Sequence, residues 1–342
     1  MKRKRTRRAR KLHELPARCG LARILHELPA RYGLSWLILV AALLPASVPA
    51  KNIYKFQDEN GIWHFTDQAP DEEVEFSTVY METEPEPRIR LRREGIKESP
   101  VYVLFNDFWG PVEVELTLKE SVNVLSEPPL PARFVIPAQT EQTLVGIGAL
   151  DQRRSFSYQL GMSSVPGRPI TKPLEGLIIF PPFSASEEYP VSQGFQGTKT
   201  HTSPDSEFAI DIVMPVGTAV HAVRSGTVMD VEEDFNRGGK NFKKYAHKAN
   251  HVRILHEDGT MALYAHLDLA SVSVRPGARI RAGQKIARSG NTGFSSGPHL
   301  HFAIQQNSGM QIISLPFRFR APEGAAITPE AQQYVKGVSA NH

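Results

Sequence analysis

The chain has 342 residues, enough for two or three compact domains, and its 41% hydrophobic content is ordinary for a globular protein. The formal net charge of +4 comes from residues 1–50, where eleven Lys and Arg face two Glu and leave −5 on the remainder. This balance excludes nucleic acid as a partner of the whole protein, because such a partner requires a basic surface.

Residues 1–50 have the organisation of an export signal. A cationic stretch at 2–11 precedes an apolar run from Leu34 to Leu44, and small residues follow up to Ala50. The run is shorter than the roughly 20 apolar residues that a membrane-spanning helix needs. We therefore expect a signal peptide cleaved after Ala50, with a retained membrane anchor as the alternative, and a location in the periplasm or cell envelope.

Residues 51–70 predict a β-hairpin module. Apolar and polar residues alternate on both sides of Glu59-Asn60-Gly61, and Asn-Gly between alternating runs is a strong hairpin signal. The stretch resembles the small hairpin module that follows the signal peptide in many bacterial envelope proteins. Residues 71–99 are rich in Glu, Pro and Arg and are predicted to be a linker, because they offer too little apolar surface to fold alone.

Residues 100–165 predict a small, β-sandwich-like accessory domain. The strand-like runs are 101–105, 112–116, 134–136 and 155–158, and turns rich in Asn, Pro and Gly separate them. No grouping of His, Asp or Glu in this region has the spacing of metal ligands. We therefore expect the domain to do no chemistry and to tune access or location.

Residues 166–320 predict a second mainly β domain, and residues 321–342 predict a polar tail. β-Branched runs alternate with glycine turns through most of the domain, and helical periodicity is weak. Eight of the ten histidines after residue 50 lie between positions 201 and 301. Chemistry is therefore expected in this domain.

Two histidines near the end of this region predict a metal site. Side chains two apart on a strand share a face and lie roughly 7 Å apart, so His299 and His301 project into one space. Histidine and carboxylate ligands suit zinc, and a catalytic zinc keeps three protein ligands and leaves a fourth position for water. Spacing alone allows both histidines to bind one metal. Further histidines beside such a site are candidates for moving protons in a hydrolysis.

Short motifs follow one another in a characteristic order through residues 194–302. They are Gly194-Phe195-Gln196-Gly197, His201, Asp211 to Val220, Gly226-Thr227-Val228, Tyr264-Ala265-His266-Leu267, Val274 to Gly277, Gly283 to Ala287, Ser289 to Gly293 and Gly297-Pro298-His299-Leu300-His301-Phe302. In this order they resemble the lysostaphin-type (LytM-like, M23) zinc metallopeptidases of bacterial cell walls.

The resemblance implies a fold and a set of roles. It implies an antiparallel β core with a long groove and one zinc per chain, bound by His201, Asp211 and His301. It also implies that His266 and His299 are the catalytic histidines. That His301, and not His299, binds the metal comes from the resemblance alone, and which of His266 and His299 serves as the base stays open.

The aspartate ligand has two candidates. The usual family spacing after His201 selects Asp205, whereas the spacing before the Gly217-Thr218 turn selects Asp211. Asp211 lies in an apolar run where an unpaired carboxylate is costly to bury, and a bound metal removes that cost. We therefore expect Asp211 to be the ligand, with an insertion between it and His201.

Other residues of the region have weaker signals. Tyr264 and Asn291 belong to the motif set and are expected to contact substrate. His256 is expected to be a turn residue, and His221 and His251 are expected on strand surfaces. The basic segment 237–248 is a solvated loop or a surface that steers an anionic wall polymer.

Together these features predict an exported zinc metalloendopeptidase that hydrolyses peptide cross-links of bacterial peptidoglycan, with envelope regulatory proteins as further partners. The first alternative is a non-catalytic envelope protein that binds wall peptides or activates a cell-wall amidase. A second alternative is a secreted peptidase acting on glycine-rich proteins.

Overall fold

The computed structural model describes residues 51–58, 61–66, 75–81 and 87–340. The described residues lie in one of the two units into which the chain divides, residues 49–342. Their regular structure is β-strand with one short helix, so the prediction of a mainly β protein is confirmed. The expected signal or anchor, residues 1–50, lies outside the described residues, and within them no helix is long and apolar enough to cross a membrane.

Three strands build the N-terminal module: β1 (Lys51–Gln57), β2 (Trp63–Thr66) and β3 (Phe76–Met81). β1 is central and pairs antiparallel with both neighbours. The Gly61 amide closes the first turn by donating to the Asp58 carbonyl oxygen at 2.9 Å, and Gly61 has a left-handed φ of +78°. The expected hairpin is present, and β3 adds a third strand from the region predicted as a linker.

The linker prediction for residues 71–99 must also be corrected at its end. β4 (Ile89–Ile96) pairs with β5 (Ser99–Asn106) as a regular antiparallel hairpin. Ile89 and Leu91 are half-buried against the next domain's core, whereas the arginines that alternate with them are exposed. The charged residues lie on the solvent face of the strand. A prediction from overall composition therefore assigned a linker where the structure has a strand.

Two antiparallel sheets form the accessory sandwich. Its remaining strands are β6 (Val112–Val122), β7 (Val124–Glu127), β8 (Ala132–Ile136), β9 (Thr140–Ala149) and β10 (Ser157–Pro166). The strand orders are β4-β5-β9-β7 and β10-β6-β8. Leu104 from one sheet and Val114, Leu116 and Ile136 from the other are fully buried in a shared core.

The C-terminal domain contains the remaining strands and the helix. The strands are β11 (Leu177–Ile179), β12 (Glu188–Gln193), β13 (Ile210–Ile212), β14 (Ala219–His221), β15 (Gly226–Glu232), β16 (Gly238–Gly239), β17 (His251–Leu255), β18 (Met261–Ala265), β19 (Arg279–Ile280), β20 (Lys285–Arg288), β21 (Gly293–Phe294), β22 (Leu300–Asn307), β23 (Ile312–Leu315), β24 (Phe317–Arg320), β25 (Ala326–Ile327) and β26 (Tyr334–Lys336). The helix is α1 (Phe242–Tyr245).

A nine-stranded sheet dominates this domain. Its strand order is β19-β15-β17-β18-β22-β13-β12-β26, and β23 pairs with β22. Fully buried side chains such as Ile210, Ile212, Tyr264 and Phe302 fill the core beneath the sheet. The smaller sheets are the parallel pair β16-β21, the antiparallel pair β14-β20 and the set β11-β24-β25.

The predicted polar tail, residues 321–342, is part of the fold up to the last described residues. β26 pairs antiparallel with β12, and Val335 at its centre is fully buried in the domain core. Tyr334 and Lys336 on either side are exposed. This segment forms a strand despite its polar composition, because side chains alternate along a strand and one inward valine is enough to anchor it.

The sandwich and the C-terminal domain share an interface. Met229 and Met261 of the C-terminal sheet are fully buried in the sandwich core cluster. The buried Glu113 carboxylate accepts hydrogen bonds from the Asn307 amide at 3.0 Å and from the Met310 backbone N–H at 2.7 Å. The accessory domain is therefore packed against the side of the sheet and not merely tethered to it.

Candidate metal centre and catalytic histidines

Three neighbouring strands present the candidate site at one level of the sheet. Asp211 on β13 lies directly opposite His301 on β22, and His301 lies opposite Ala265 on β18. His299 stands two residues before His301, on the same face, as the strand period predicts. His266 follows β18 immediately.

The side chains of His201, Asp211 and His301 converge on one point. Asp211 Oδ1 lies 3.2 Å from His201 Nε2 and 2.9 Å from His301 Nδ1. One ligand atom from each residue lies within 4.8 Å of the others. Ligand atoms around a tetrahedral zinc are about 3.3 Å apart, so this donor set fits the metal. The structure thus brings together the three residues that the sequence assigned as ligands.

Gln193 orients the aspartate, and the sequence analysis did not identify it. Its buried side-chain amide donates from Nε2 to Asp211 Oδ2 at 3.0 Å, and the two residues are cross-strand partners on β12 and β13. The second carboxylate oxygen is therefore occupied, and Oδ1 alone faces the histidines. Such a supporting hydrogen bond fixes a metal ligand's orientation.

His201 is held from behind by backbone. Its ring is 1% exposed, and Nδ1 lies 3.1 Å from the Gly194 carbonyl oxygen, which accepts a hydrogen bond from the Nδ1–H. This hydrogen bond orients the ring so that Nε2 points to Asp211 Oδ1. Burial opposes protonation of His201, but the hydrogen bond and charge of Asp211 outweigh it and raise its pKa.

The aspartate is ionised in this environment. Burial alone would raise the pKa of Asp211, but hydrogen bonds from His201 and His301 outweigh burial and hold the pKa well below its usual range. A buried carboxylate surrounded by imidazoles is a ready ligand for a cation, because the cost of desolvating the charge is already met by its partners.

His266 reaches the site through an unusual backbone conformation. Tyr264 lies on the core face of β18 opposite Phe302, so simple alternation would send His266 to the core as well. Instead His266 has a left-handed φ of +63°, and its Nδ1–H donates to the Thr292 carbonyl oxygen at 2.6 Å. Burial, followed by the neighbouring His299 and His301, lowers the pKa of His266 to about 3.

His299 is positioned in the same way from the other side. Its Nδ1–H donates to the Gly297 carbonyl oxygen at 2.8 Å, and Nε2 lies 3.7 Å from Asp211 Oδ1. The His266 and His299 rings are 4.6 Å apart between centroids. Each histidine therefore donates its Nδ1 proton to the loop at 292–297 and directs Nε2 toward the ligand cluster.

Asn250 holds this loop in place, and sequence reasoning gave no signal for it. Asn250 is fully buried. Its backbone N–H donates to Thr292 Oγ1 at 3.1 Å, and its side-chain amide donates to the Phe235 carbonyl oxygen at 2.7 Å. Thr292 Oγ1 in turn donates to the Leu267 carbonyl oxygen at 2.8 Å. Leu267 directly follows His266. The hydrogen bonds of Asn250 and Thr292 therefore position both the chain after His266 and the loop whose Thr292 carbonyl oxygen accepts from the His266 ring.

Three further sequence predictions can be placed in the structure. Tyr264 is fully buried, and its hydroxyl accepts the Val223 backbone N–H at 2.8 Å, so its expected role in substrate contact is wrong. Asn291 is exposed on the loop and accepts a hydrogen bond from Ser295 Oγ at 2.7 Å. Asp205 is exposed in a separate loop and bonds to Ser203, as expected of a residue outside the site.

Three further histidines among the described residues lie away from the cluster. His221 and His251 are half-buried on β14 and β17, and His251 Nε2 lies 3.1 Å from Asp230 Oδ2. His256 opens the turn after β17, where Gly259 N–H donates to its carbonyl oxygen at 3.1 Å. Its ring is more buried than expected: the residue is 3% exposed, and Nε2 has no hydrogen-bond partner.

Comparison with known proteins finds a family match over the residues of this site. The model of peptidase family M23 matches residues 206–312, which include Asp211, His266, His299 and His301. A domain of unknown function (DUF4124) matches residues 40–88, which contain the N-terminal module. The chain is 32% identical over 103 residues to the glycyl-glycine endopeptidase ALE-1 of Staphylococcus capitis, covering 30% of this chain and 25% of that protein.

Two more similarities fall in the same region. The chain is 33% identical over 94 residues to the peptidoglycan DD-endopeptidase ShyA of Vibrio cholerae, covering 28% of this chain and 19% of that protein. The solved structure of the antimicrobial peptidase lysostaphin from Staphylococcus simulans is 32% identical, covering 35% of this chain and 44% of that one with a TM-score of 0.26. The chain spans a quarter or less of the length of the two curated relatives.

Proposed function

Residues 206–312 form a peptidase family M23 domain, and from this we propose that the chain is a zinc metalloendopeptidase that hydrolyses peptide cross-links of bacterial peptidoglycan. The observation that carries the proposal is the convergence of His201 Nε2, Asp211 Oδ1 and His301 Nδ1 beside two further imidazoles. The name of ShyA, a peptidoglycan DD-endopeptidase, supports the substrate class, and the name of ALE-1, a glycyl-glycine endopeptidase, supports the endopeptidase activity.

His201, Asp211 and His301 would hold the zinc. When bound, the ion would supply Lewis-acid polarisation of the scissile carbonyl and of the attacking water. Gln193 and the Gly194 carbonyl keep Asp211 Oδ1 and His201 Nε2 aimed at the same point, so the ligand atoms need little rearrangement. His201 is fully buried, whereas His266, His299 and His301 are each partly exposed at the solvent side of the cluster.

His266 and His299 supply the proton transfer. Each has its Nδ1 proton committed to a backbone carbonyl, and each therefore presents an unprotonated Nε2 that can accept a proton from water. The low pKa of His266 keeps its ring neutral at pH 7. One of the two imidazoles accepts the water proton at Nε2 and, as the imidazolium, can donate that proton to the developing oxyanion or to the leaving amine nitrogen; the arrangement offers two Nε2 atoms for this task.

We also propose that the protein acts outside the cytoplasm. The cationic stretch, the apolar run and the small residues that end at Ala50 support export by a signal peptide. Peptidoglycan is an extracytoplasmic polymer, so the substrate and this location agree. A fusion of residues 1–50 to alkaline phosphatase, which is active only after export, tests the location independently of the enzyme assay.

The proposed activity is tested on purified cell-wall sacculi. The full chain is incubated with sacculi in the presence of zinc, after chelation, and after chelation followed by added zinc, and the released fragments are identified by mass spectrometry. We expect peptide cross-links to be cleaved with zinc and to survive chelation. Asp205→Ala serves as the matched control, since this exposed carboxylate lies outside the cluster.

Two outcomes would contradict the proposal. Intact sacculi under all three conditions, together with zinc-dependent activation of a cell-wall amidase, would favour the non-catalytic alternative. Intact sacculi together with cleavage of a glycine-rich protein would keep the peptidase chemistry and replace the substrate.

A further inference from the structure

One segment of the C-terminal domain has a charge opposite to that of its surroundings. Residues 237–248, here called the basic loop, contain five Lys and Arg and no Asp or Glu. Residues 51–342 carry −5 in total, so the rest of that region carries −10 around a loop of +5. Arg237, Lys240, Lys243, Lys244 and Lys248 are all exposed. The loop is therefore a cationic patch on an otherwise acidic protein.

The basic loop pairs with the loop at 292–297, whose carbonyl oxygens accept hydrogen bonds from His266 and His299. β16 pairs in parallel with β21, so that Gly238 lies beside Gly293 and Gly239 beside Phe294. The Gly293 N–H donates to the Arg237 carbonyl oxygen at 3.0 Å. A Cβ at Gly238 would collide with the backbone of Asn291, so this close approach requires glycine.

The helix of the basic loop stands next to the same strand. Phe242 at the start of α1 packs edge-to-face on Phe294, with 5.3 Å between ring centroids, and remains 66% exposed. Phe294 directly precedes Ser295, whose Oγ lies 3.3 Å from His299 Nδ1. Lys243 and Lys244, the next two residues of α1, are thus connected through Phe242 and Phe294 to the loop beside His299.

The cations of the basic loop are available to a ligand. Among the described residues, Lys240, Lys243 and Lys248 form no ion pair, and the Lys244 ammonium lies over its neighbour Tyr245 at 5.1 Å. The acidic residues that precede the loop are half-buried, and the Glu233 carboxylate accepts the Val272 backbone N–H at 3.3 Å. Clusters of like charge beside a cleft raise the local concentration of oppositely charged ligands.

We propose that the basic loop binds free carboxylates of the substrate, so that the site selects cross-linked peptides with carboxylates close to the scissile amide. This inference rests on the proposed function and names the substrate class for the same site. Lysine ammonium groups on flexible stems suit scattered carboxylates, which need charge more than a fixed geometry. The exposed Phe242 ring adds apolar contact for the peptide beside them.

The test compares two synthetic cross-linked peptides that differ only in whether the carboxylates flanking the scissile amide are free or amidated. Dissociation constants are measured by calorimetry on the full chain after chelation, so that neither peptide is cleaved. The test variant is Lys243→Gln with Lys244→Gln, and the matched control is Arg153→Gln with Arg154→Gln, an exposed pair on the accessory domain. The readout is the affinity ratio of the free to the amidated peptide.

We expect the lysine variant to reduce this ratio by about fivefold, since exposed ion pairs contribute modestly and two are removed. The arginine control should leave the ratio unchanged, and 0.5 M salt should reduce it in the unmodified chain. An unchanged ratio in the lysine variant, an equal loss in the arginine control, or no binding of either peptide would overturn the inference.

The two proposals fail separately in this design. Chelator-sensitive cleavage of sacculi without any change in the ratio would overturn carboxylate selection and leave the peptidase. A reduced ratio with sacculi that stay intact would overturn the peptidase and leave the carboxylate contact.

Discussion

The accessory sandwich and the C-terminal sheet are both antiparallel β structures, but they use the two faces of their strands differently. Along β6 the inward positions Val112, Val114 and Leu116 are all aliphatic and fully buried. In the C-terminal sheet, Asp211 and His301 occupy directly opposed positions on β13 and β22. The comparison shows that the same alternation can build either a core or a site. The site is tolerated because each polar group has a partner.

The largest expected effect is loss of the metal. Asp211→Ala and His301→Ala should each leave the chain without tightly bound zinc, because each removes one of three ligands. Activity on sacculi should fall to that of the chelated protein. Zinc per chain is measured by inductively coupled plasma mass spectrometry, with Asp205→Ala as the control that keeps the metal. If Asp205→Ala loses zinc while Asp211→Ala retains it, the ligand assignment is reversed.

The next effect separates the ligands from the proton-transfer groups. His266→Ala and His299→Ala should retain one zinc per chain and lose about 10²- to 10⁴-fold in cleavage rate, the usual contribution of a general acid or base. Metal content and rate are measured on the same preparations. A His299→Ala chain that lacks zinc would make His299 a fourth ligand and leave no open position for water.

The sandwich should respond to mutation in stability and not in chemistry. Leu116→Ala removes a fully buried side chain and should cost about 2–5 kcal/mol of unfolding free energy. Val122→Ala on the same strand changes a side chain that is 58% exposed and should cost less than about 0.5 kcal/mol. Urea unfolding gives both values. Loss of zinc from the folded Leu116→Ala chain would show that the sandwich also supports the site.

The last effect depends on pH and distinguishes a histidine buried by packing from those of the site. Burial lowers the pKa of His256 from 6.5 to about 4. As pH falls through this window the unfolded chain binds a proton before the folded chain does, so stability falls, by about 3 kcal/mol in all. Well above pH 6.5 His256 is neutral in both the folded and the unfolded chain, so none of this stability is lost.

His256→Gln should remove this part of the acid sensitivity. Urea unfolding of the chelated protein at pH 7, 5 and 4 measures it, and His247→Gln at an exposed position is the control. Equal pH dependence in His256→Gln and the unmodified chain would show that the pKa of His256 is the same in the folded and unfolded chains.

The sequence predicted those site residues whose side-chain type itself indicates metal binding, the histidines and the buried aspartate. Strand period placed His299 and His301 on one face, and the cost of burying a carboxylate favoured Asp211 over Asp205. Gln193 could not be found in this way, because its role depends on the register between β12 and β13. Tyr264 was misplaced because its motif neighbour His266 leaves the strand alternation, which no pattern in the sequence reveals.

Weakly patterned segments were harder still. β4 and β26 each depend on one or two inward aliphatic side chains, Ile89 and Leu91 in β4 and Val335 in β26. Composition averages these few residues with many charged ones. Only their partners across the sheet, distant in sequence, turn such segments into strands.

The left-handed backbone at His266 has a consequence for attempts to make this protein more robust. A non-glycine residue in that conformation costs about 1–2 kcal/mol, and glycine relieves most of the cost. His266→Gly should therefore unfold at a higher temperature than His266→Ala, although both lack the imidazole. Selection for thermal tolerance alone would favour glycine here and would discard an imidazole of the site, so stability and turnover are opposed at this one position.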